Sequence, residues 1–395
     1  RLGILDEPTI GFDTMLASYA LDERPGFHGL EAMASEWLGA PSWKGEHDKY
    51  KGKQDSYAVI PRHVLYRYNA WDSVCTYNLR PILEQKLKHG GMRALHDRLV
   101  MYSKELIYVE LDGVKVDQQY LDELTEEYLE RLGKLEEKLL PYVGNPRSPK
   151  QVMETLGSLG IRATNTTEET LTREFERSRK GTHQYRFLGL MLMHRKAQKQ
   201  YGTYVKGIRK RLHDGRVYST YLLHGSVTGR LASRNPNMQN IPRGDKLRKL
   251  FVPDEGNIFV QGDYRTAELR VIACEAKDDY LRGVLSDPNR DIHGEVATRF
   301  FGEGWTKEQR VRAKAVVFGL PYGREAASLA TEFNIPMAQA ERYMREFFAV
   351  IPQVQEWREN VVKKQIFGGR ALQTFWGRKR RLWLVTNGNK KDVEK

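Results

Sequence analysis

The sequence predicts an α+β protein built from two or more domains. With 395 residues, the chain is longer than the size at which one hydrophobic core usually stops growing. Between residues 121 and 139, leucines recur at spacings of three and four in a strongly charged segment, which predicts a long amphipathic helix. An apolar run at residues 258–260 precedes a helical pattern, which predicts a buried strand followed by a helix. Long helices and separate strands in one chain are typical of the α+β class.

Residues 5–39 show helical apolar spacing that is interrupted by Pro25 and Gly26. Tyr68 and Asp72 lie four residues apart further along the chain, so both side chains would face the same side of a helix. Such a pair arises by chance on many helices. On its own it fits ordinary helix packing as well as a metal site.

The long helix at residues 121–139 should end before Pro141 and Pro146. Ser148 followed by Pro149 has the order expected of an N-cap and a first helical residue, which predicts the start of another helix. We attribute the leucine pattern to packing between helices.

The charge of the chain favours a polyanionic partner. The formal net charge is +13 and the calculated isoelectric point is near 9.5. An excess of Lys and Arg suits DNA, and it would also suit ribosomal RNA or an anionic membrane surface. Residues 195–216 contain eight basic residues and one acidic residue, and residues 370–381 contain five basic residues and no acidic one. Aromatic residues interrupt both runs, so we interpret them as parts of a DNA-binding groove, although either run alone could be solvated surface.

The two cysteines, Cys75 and Cys274, are far apart and lack the spacing of a metal site. The sequence therefore predicts neither a disulfide framework nor a zinc site. It also has no signal peptide and no apolar run of membrane-spanning length, which predicts a cytoplasmic protein.

Three segments carry residues suited to nucleotide chemistry. The first is a predicted loop, and the second connects the predicted strand at 258–260 to the helix after it. Residues 228–242, TGRLASRNPNMQNIP, are rich in Gly, Asn and Pro, which predicts a loop carrying hydrogen-bonding side chains. Asp263 follows the predicted strand, a common position for a carboxylate that holds Mg²⁺, although a single Asp is more often a turn residue or a helix cap. Glu268 lies five residues later, in the first turns of the next helix, from where it could reach towards the same ion.

The third segment places Arg310, Lys314, Phe318 and Tyr322 at intervals of four residues, along one face of a predicted helix. The guanidinium and ammonium groups could hold the β and γ phosphates of a nucleoside triphosphate, and the rings could pack against its sugar and base. Alternatively, this is a basic amphipathic helix that buries its apolar face. The helix should start at the T-x-x-Q capping box formed by Thr306 and Gln309. It should end near three residues that disfavour helix: Gly319, Pro321 and Gly323. The apolar residues expected to point inwards are Val316, Val317 and Leu320.

Taken together, the segments resemble the polymerase domain of family A DNA polymerases, of the bacterial DNA polymerase I type. TGRLAS with PNMQNIP is similar to the primer-template loop of that family, and DYRTAELR is similar to its motif A. DIH, which ends at His293, is similar to its fingers histidine, and RxxxKxxxFxxxY is similar to its motif B. The resemblance covers almost the whole chain, and the FGLPYGR ending, similar to several phage sequences, suggests a phage or prophage source.

The resemblance implies an α+β multidomain protein with the right-hand polymerase fold of palm, fingers and thumb. The C-terminal part of a ribonuclease H-like 3′–5′ exonuclease domain would precede it, with the chain truncated at both ends. The implied domains are an exonuclease-like part at residues 1–89, a thumb at 90–215, the first part of the palm with motif A at 216–285, fingers with the motif B helix at 286–350, and a return to an incomplete palm at 351–395.

The implied activity is template-directed addition of deoxynucleotides to a primer 3′ end, by phosphoryl transfer assisted by two Mg²⁺ ions, in DNA replication or repair. The partners would be primer-template DNA and deoxynucleoside triphosphates, and the protein would be a monomer that does not bind a membrane. If the source is a phage, the protein would lie in the host cytoplasm. Asp263 would ligate both ions, Tyr264 would supply its backbone carbonyl, and Lys314 would protonate the leaving pyrophosphate.

The resemblance assigns further roles by matching positions. Glu268 would close the space of a ribose 2′-OH, and Asp72 with Tyr68 would belong to the exonuclease site, with Asp72 as a metal ligand. The residues implied to bind the nucleotide are Glu268, His293, Arg310, Lys314, Phe318 and Tyr322. Those implied to bind DNA are Arg195, Lys199, Thr203, Tyr204, Arg230, Gln239 and Asn240.

The chain departs from the family pattern at several positions. The second metal-binding segment of the palm, His-Asp-Glu between apolar residues, is expected beyond Lys395. Arg265 stands where the family often has a small polar residue, and Arg312 and Pro321 are unusual within the fingers helix. Because proline cannot donate a helical hydrogen bond, we expect the helix to end or kink at Pro321.

Two other interpretations are compatible with the sequence. A single-subunit RNA polymerase shares the palm and a basic fingers helix, but Glu268 and the exonuclease-like start favour deoxynucleotides. A catalytically incomplete remnant would keep the basic groove and bind DNA without synthesis.

Overall fold

The computed structural model describes residues 10–51, 56–242, 244–368 and 371–381. The chain divides into two compact units, Arg1–Phe259 and Val260–Lys395. Both units are dominated by helices, and the strands that accompany them are short.

The first unit begins with helices that pack around a core of leucine, alanine and methionine side chains. These helices are α1 (Thr14–Leu21), α2 (Leu30–Leu38), α3 (Lys44–Lys51), α4 (Arg62–His89) and α5 (Arg93–Asp112). The break predicted at Pro25 and Gly26 separates α1 from α2. By contrast, α4 continues through Pro81, because Leu79, Leu83 and Leu87 are completely buried and hold the helix on both sides of the proline.

The remainder of the first unit is a long helix with its partners and two small sheets. The elements are β1 (Val114–Lys115), α6 (Gln118–Leu139), α7 (Pro149–Ser158), α8 (Glu168–Arg177), α9 (His183–Gln200), α10 (Gly207–Arg209), β2 (Leu212–His213), β3 (Arg216–Val217), β4 (Thr220–Leu222), β5 (Ala232–Arg234) and α11 (Asp245–Arg248). A π-helical segment, Tyr201–Lys206, joins α9 to α10. The strands form an antiparallel sheet in the order β1-β3-β2 and a separate β4-β5 hairpin.

The amphipathic helix predicted at residues 121–139 is confirmed as α6. Its six apolar side chains at this spacing are buried in two successive cores: Leu121, Leu124 and Tyr128 in one, and Leu132, Leu135 and Leu139 in the other. Asp117 caps its start, and Ser148 caps α7, with Pro149 as the first helical residue.

The buried strand predicted at Ile258, Phe259 and Val260 was wrong. These residues have no regular secondary structure, and their exposed fractions are 82%, 60% and 88%. A strand forms only where a neighbour accepts and donates its backbone hydrogen bonds, and no strand in the described part of the chain pairs with this segment. The loop predicted at residues 228–242 was partly wrong, because it contains β5 and the 3₁₀ turn Met238–Asn240.

The second unit is a helical body followed by a short hairpin. Its elements are α12 (Ala267–Glu275), α13 (Asp279–Ser286), α14 (Ile292–Phe301), α15 (Lys307–Gly319), α16 (Ala326–Phe333), α17 (Met337–Val350), α18 (Pro352–Glu356), α19 (Lys364–Phe367), β6 (Leu372–Gln373) and β7 (Lys379–Arg380). One apolar core joins α12 through α18, with α15 packed against α14 and α17.

The predicted boundaries of α15 are confirmed. Thr306 and Gln309 form both hydrogen bonds of a capping box. The helix ends at Gly319, and Pro321 lies in a following 3₁₀ turn that stops at Gly323, whose φ of 88° suits glycine. The three apolar residues predicted to point inwards, Val316, Val317 and Leu320, are completely buried.

None of the helices in the described ranges is long and apolar enough to cross a membrane.

The end of α6 offers a matched test of core packing. Leu139 is completely buried, whereas 67% of its neighbour Leu140 is exposed. We expect Leu139→Ala to lower the free energy of unfolding by about 2–5 kcal/mol, because it leaves a cavity in a packed core. Leu140→Ala should change it by less than about 0.5 kcal/mol. Urea denaturation followed by circular dichroism measures both, and equal effects of the two substitutions would contradict the assigned register of α6.

Candidate nucleotide and DNA sites

The exposed face of α15 and the turn after it carry four of the six residues predicted to bind a nucleotide. Arg310, Lys314 and Phe318 follow one another at single-turn spacing, and Tyr322 lies in the 3₁₀ turn that extends the helix. Lys314 Nζ is 5.9 Å from the centre of the Phe318 ring. Because the opposite side of α15 is buried, these side chains form one polar and aromatic surface.

Arg310 is held in place by the residue that caps α14. Its Nε and Nη2 atoms donate to Asp291 Oδ2 at 3.0 and 2.6 Å. Asp291 Oδ1 accepts the backbone N–H of His293 at 3.2 Å. Burial alone would raise the pKa of Asp291, but the hydrogen bond and charge of Arg310 outweigh it and hold that pKa below its usual value. The ionised Asp291 therefore couples the start of α14 to α15.

His293 lies directly beside this ion pair. Only 8% of the residue is exposed, and its ring centre is 5.3 Å from that of Phe318. Burial lowers the pKa of His293; the charge of Asp291 opposes this shift, and Arg310 and Lys314 reinforce it. The imidazole is thereby kept neutral at neutral pH. Its Nδ1 atom is buried and has no hydrogen-bond partner in the described part of the chain.

Glu268 and Tyr322 form a direct contact between α12 and the end of α15. The Tyr322 hydroxyl donates to Glu268 Oε2 at 2.6 Å. Glu268 is the second residue of α12, so the predicted sugar-discriminating carboxylate is fixed by a residue from the predicted nucleotide face.

The turn before α12 is organised by Arg265, a residue to which we assigned no role from sequence. Its Nη1 and Nη2 atoms donate to the carbonyls of Pro288 and Arg290 at 3.2 and 2.5 Å. Asp291 was also missed as a functional residue. The Asp two residues before His293 was the available signal for it, since an Asp commonly caps a helix.

The predicted metal ligands Asp263 and Tyr264 lie in the exposed, irregular segment before this turn. The described residues contain no cluster of three or more His, Cys, Asp or Glu side chains that could hold a metal ion. Asp263 thus supplies one suitable oxygen ligand, and the described side chains do not complete a metal site around it.

In the first unit, the predicted DNA-binding residues fall on α9, the π-helical segment and the β4-β5 region. Arg195 is half-buried and donates to the carbonyl of Thr166, whereas Lys199 is exposed one turn later. The Tyr204 hydroxyl donates to the carbonyl of Asn240, so the π-helical segment contacts the 3₁₀ turn Met238–Asn240. The other predicted DNA-binding residues are exposed: Thr203, Arg230 and Gln239.

Tyr68 and Asp72 lie one turn apart on α4 and contact the segment around α3. Trp43 Nε1 donates to Asp72 Oδ1 at 2.9 Å, and the Tyr68 ring stacks on His47 at 4.3 Å between centres. Burial, together with the charge and hydrogen bonding of Asp72, raises the pKa of Tyr68 to about 12. The two side chains interact with each other, and their exonuclease role stays a prediction.

The chain is similar to bacterial DNA polymerases I along most of its length. It is 30% identical to DNA polymerase I of Rhizobium leguminosarum over 388 residues, covering 93% of this chain and 38% of that protein. It is 32% identical to DNA polymerase I of Chloroflexus aurantiacus over 397 residues, covering 94% of this chain and 41% of that protein. The chain therefore spans about two fifths of the length of these relatives.

A solved structure and a family model agree with these sequence relatives. The polymerase domain of Pol1 from M. smegmatis, solved with DNA primer-template and dNTP, is 26% identical with a TM-score of 0.76, covering 96% of this chain and 65% of that one. The family model described as DNA polymerase family A matches residues 118–395, which include all of α6 and the whole second unit. The chain belongs to DNA polymerase family A.

Proposed function

We propose that the chain is part of a template-directed DNA polymerase that adds deoxynucleotides to a primer 3′ end in DNA replication or repair. The observation that carries this proposal is the exposed face of α15, on which Arg310, Lys314, Phe318 and Tyr322 meet His293 and Glu268. The partners would be primer-template DNA and deoxynucleoside triphosphates. The cytoplasmic location and the phage source stay predictions from the sequence.

The residues of this face suit the parts of a nucleoside triphosphate. Arg310 uses two of its five N–H groups on Asp291, so its remaining donors can bind phosphate oxygens. Lys314 adds a point charge one turn away, and as a general acid it would protonate the leaving pyrophosphate. Phe318, between Lys314 and His293, offers a ring to the sugar. In this arrangement the phosphates bind towards the start of α15 and the base towards its end.

The contact between Tyr322 and Glu268 suits discrimination between sugars. The hydrogen bond from the Tyr322 hydroxyl at 2.6 Å orients the Glu268 carboxylate, which can exclude a ribose 2′-OH by occupying its space. Deoxynucleotides would avoid this clash.

Family A polymerases generally use divalent metal ions. We propose that two Mg²⁺ ions act here and that the Asp263 carboxylate and the Tyr264 carbonyl are among their ligands, since hard cations take such oxygens. Further ligands would have to join them, because the described side chains contain no complete set. When bound, such ions would neutralise charge on the triphosphate and lower the pKa of the primer hydroxyl.

We propose that DNA is held by the first unit through contacts with its phosphates. Lys199, Thr203 and Gln239 are exposed, and the bond from Tyr204 to Asn240 brings their segments together. Phosphate contacts give affinity without sequence preference, as a replicative or repair enzyme needs. In this proposal residues 90–215 are the thumb, residues 216–285 belong to the palm, residues 286–350 are the fingers, and residues 1–89 are the exonuclease-like part.

The nucleotide face can be tested with two lysines of the same helix. We expect Lys314→Ala to lower kcat/KM for the incoming nucleotide at least tenfold, because a charge-assisted contact contributes roughly 1.5–3 kcal/mol. Lys307→Ala, at the exposed start of α15, is the control and should change it less than about twofold. Single-nucleotide primer extension measures both, in a version that also carries the metal-binding segment expected beyond Lys395. If Lys314→Ala instead weakened duplex binding with normal nucleotide kinetics, α15 would contact DNA and the proposal would fail.

The sugar assignment predicts linked effects of two substitutions. Glu268→Ala should increase ribonucleotide incorporation, because the carboxylate no longer fills the space of the 2′-OH. Tyr322→Phe should shift the preference in the same direction but less, since it removes a bond that orients Glu268 and leaves the carboxylate. Competition between the two nucleotide types in primer extension measures the shift. An unchanged sugar preference in Glu268→Ala would reject the exclusion of the ribose 2′-OH by Glu268. This result would also reopen the RNA polymerase interpretation.

The position of Phe318 predicts strong discrimination against dideoxynucleotides. A phenyl ring offers no hydroxyl to replace the missing 3′-OH, and a buried phosphate oxygen without a donor is costly. We expect Phe318→Tyr to reduce this discrimination by orders of magnitude with little effect on normal synthesis. Phe301→Tyr, on α14, is the control and should leave it unchanged. Dideoxynucleotide competition is the measurement, and retained discrimination in Phe318→Tyr would mean that this ring does not face the sugar.

A further inference from the structure

The hairpin formed by β4 and β5 is docked on the helices at the start of the chain. The connection between its two strands, residues 223–231, includes Arg230, one of the residues predicted to bind DNA. Leu223 packs against the apolar core that α1, α2, α4 and α5 share. A Cβ added at Gly225 would lie 2.7 Å from the Cβ of Ala232, so the connection also packs closely against β5. It is therefore held between its own hairpin and the first helices.

Tyr19, on α1, makes a polar contact across this docking surface. Only 1% of the residue is exposed, and its hydroxyl donates to the backbone carbonyl of Ser226. The same carbonyl accepts the N–H of Gly229 at 3.3 Å. One oxygen therefore joins α1 to the turn that ends directly before Arg230.

The turn from Ser226 to Gly229 is closed by its own hydroxyl groups as well. Ser226 Oγ lies 2.8 Å from Thr228 Oγ1 and accepts the N–H of Thr228 at 3.2 Å. Such side-chain bonds shape a turn locally. They do not tie it to α1, whereas the bond from Tyr19 does. Because Arg230 follows this turn directly, a displacement of Ser226 would also displace the Arg230 side chain.

Two histidines surround this contact with buried rings. The ring centre of His28, a residue that is 6% exposed, lies 5.5 Å from that of Tyr19 and 6.5 Å from that of His224 in the connection. Its Nδ1 atom is 3.0 Å from Ser18 Oγ, and its Nε2 atom is buried without a hydrogen-bond partner in the described ranges. Burial lowers the pKa of both imidazoles. The surroundings are therefore of low polarity, where a hydrogen bond is stronger than at the surface.

We propose that Tyr19 is a positioning residue for primer-template binding, which acts through the turn at residues 226–229 on Arg230. The proposal rests on the proposed function for the role of Arg230 in holding DNA. Tyr19 and Ser226 are 207 positions apart, so the contact joins distant parts of the chain. It gives residues 1–89 a contribution to DNA binding that requires no exonuclease activity.

Tyr19→Phe tests the proposal, because it removes the hydroxyl and keeps the buried ring. We expect it to raise the Kd for a primer-template duplex roughly 2- to 10-fold, the range of one hydrogen bond. The matched control is Tyr77→Phe on α4, where 79% of the residue is exposed. It should change the Kd by less than about 1.5-fold. Fluorescence anisotropy with a labelled duplex measures both on the chain itself, without synthesis.

A double-mutant cycle with Arg230 separates positioning from a purely structural role. If Tyr19 acts through Arg230, Tyr19→Phe should have no effect on the Kd in an Arg230→Ala background. A purely structural role would give the same effect in both backgrounds. Additive effects, or parental affinity in Tyr19→Phe, would overturn the proposal.

A second variant keeps the proposal testable if Tyr19→Phe does not fold. Leu223→Ala weakens the same docking from the side of the hairpin, because it removes the side chain that packs on the first helices. It should also raise the Kd, and this effect should disappear in the Arg230→Ala background. An equal effect in both backgrounds would reject the positioning role.

The same titrations separate this inference from the proposed function. Binding by the parent chain that Tyr19→Phe weakens only when Arg230 is present supports both. Binding that is unchanged in Tyr19→Phe rejects the positioning role and leaves the proposal for DNA binding intact. A parent chain that does not bind the duplex would contradict the DNA-holding role of the first unit, and the positioning role with it.

Discussion

The burial of one side of α15 is the constraint on which the candidate nucleotide site depends. Ala313, Val316 and Val317 are completely buried among the helices of the second unit, so the rotation of α15 about its axis is fixed. With 3.6 residues per turn, fixing the apolar stripe also fixes the opposite stripe. The position of Lys314 and Phe318 on the exposed side is therefore set by packing energy. Any substitution that rotated this helix would displace all the side chains of the candidate nucleotide face together.

Asp291 adds a second constraint, because one carboxylate serves two elements. One oxygen caps α14, and the other accepts two hydrogen bonds from Arg310. The cap satisfies a backbone donor that the helix itself cannot satisfy. The ion pair keeps the guanidinium oriented while leaving donors for a ligand. A site built this way is preorganised, since its charged groups need little rearrangement when an anion binds.

Local patterns explain which features were predictable from sequence. The capping box at Thr306, the helix end before Pro321 and the buried face of α6 each depend on residues within a few turns, and all were predicted correctly. The strand at residues 258–260 was not, because strand formation depends on a distant partner that an apolar run does not reveal. The bonds from Arg265 to the loop before α14 likewise join residues more than 20 positions apart. Spacing within one helix carries no information about such contacts.

The division of α6 between two cores has a mechanical consequence. Its first half is anchored with the small sheet around Val116 and Val217, and its second half carries a separate core with α7, α8 and α9. A helix of 22 residues is about 33 Å long, so a small tilt at its sheet-side core is amplified at its far end. A tilt of about 10° at that end would carry Leu139 and its attached helices through roughly 6 Å, on a helix length of 1.5 Å per residue. Tyr201 packs against both cores and so links the two halves of α6 through a second element. The second half of α6 and its attached helices thus form one preassembled body that keeps its own apolar core.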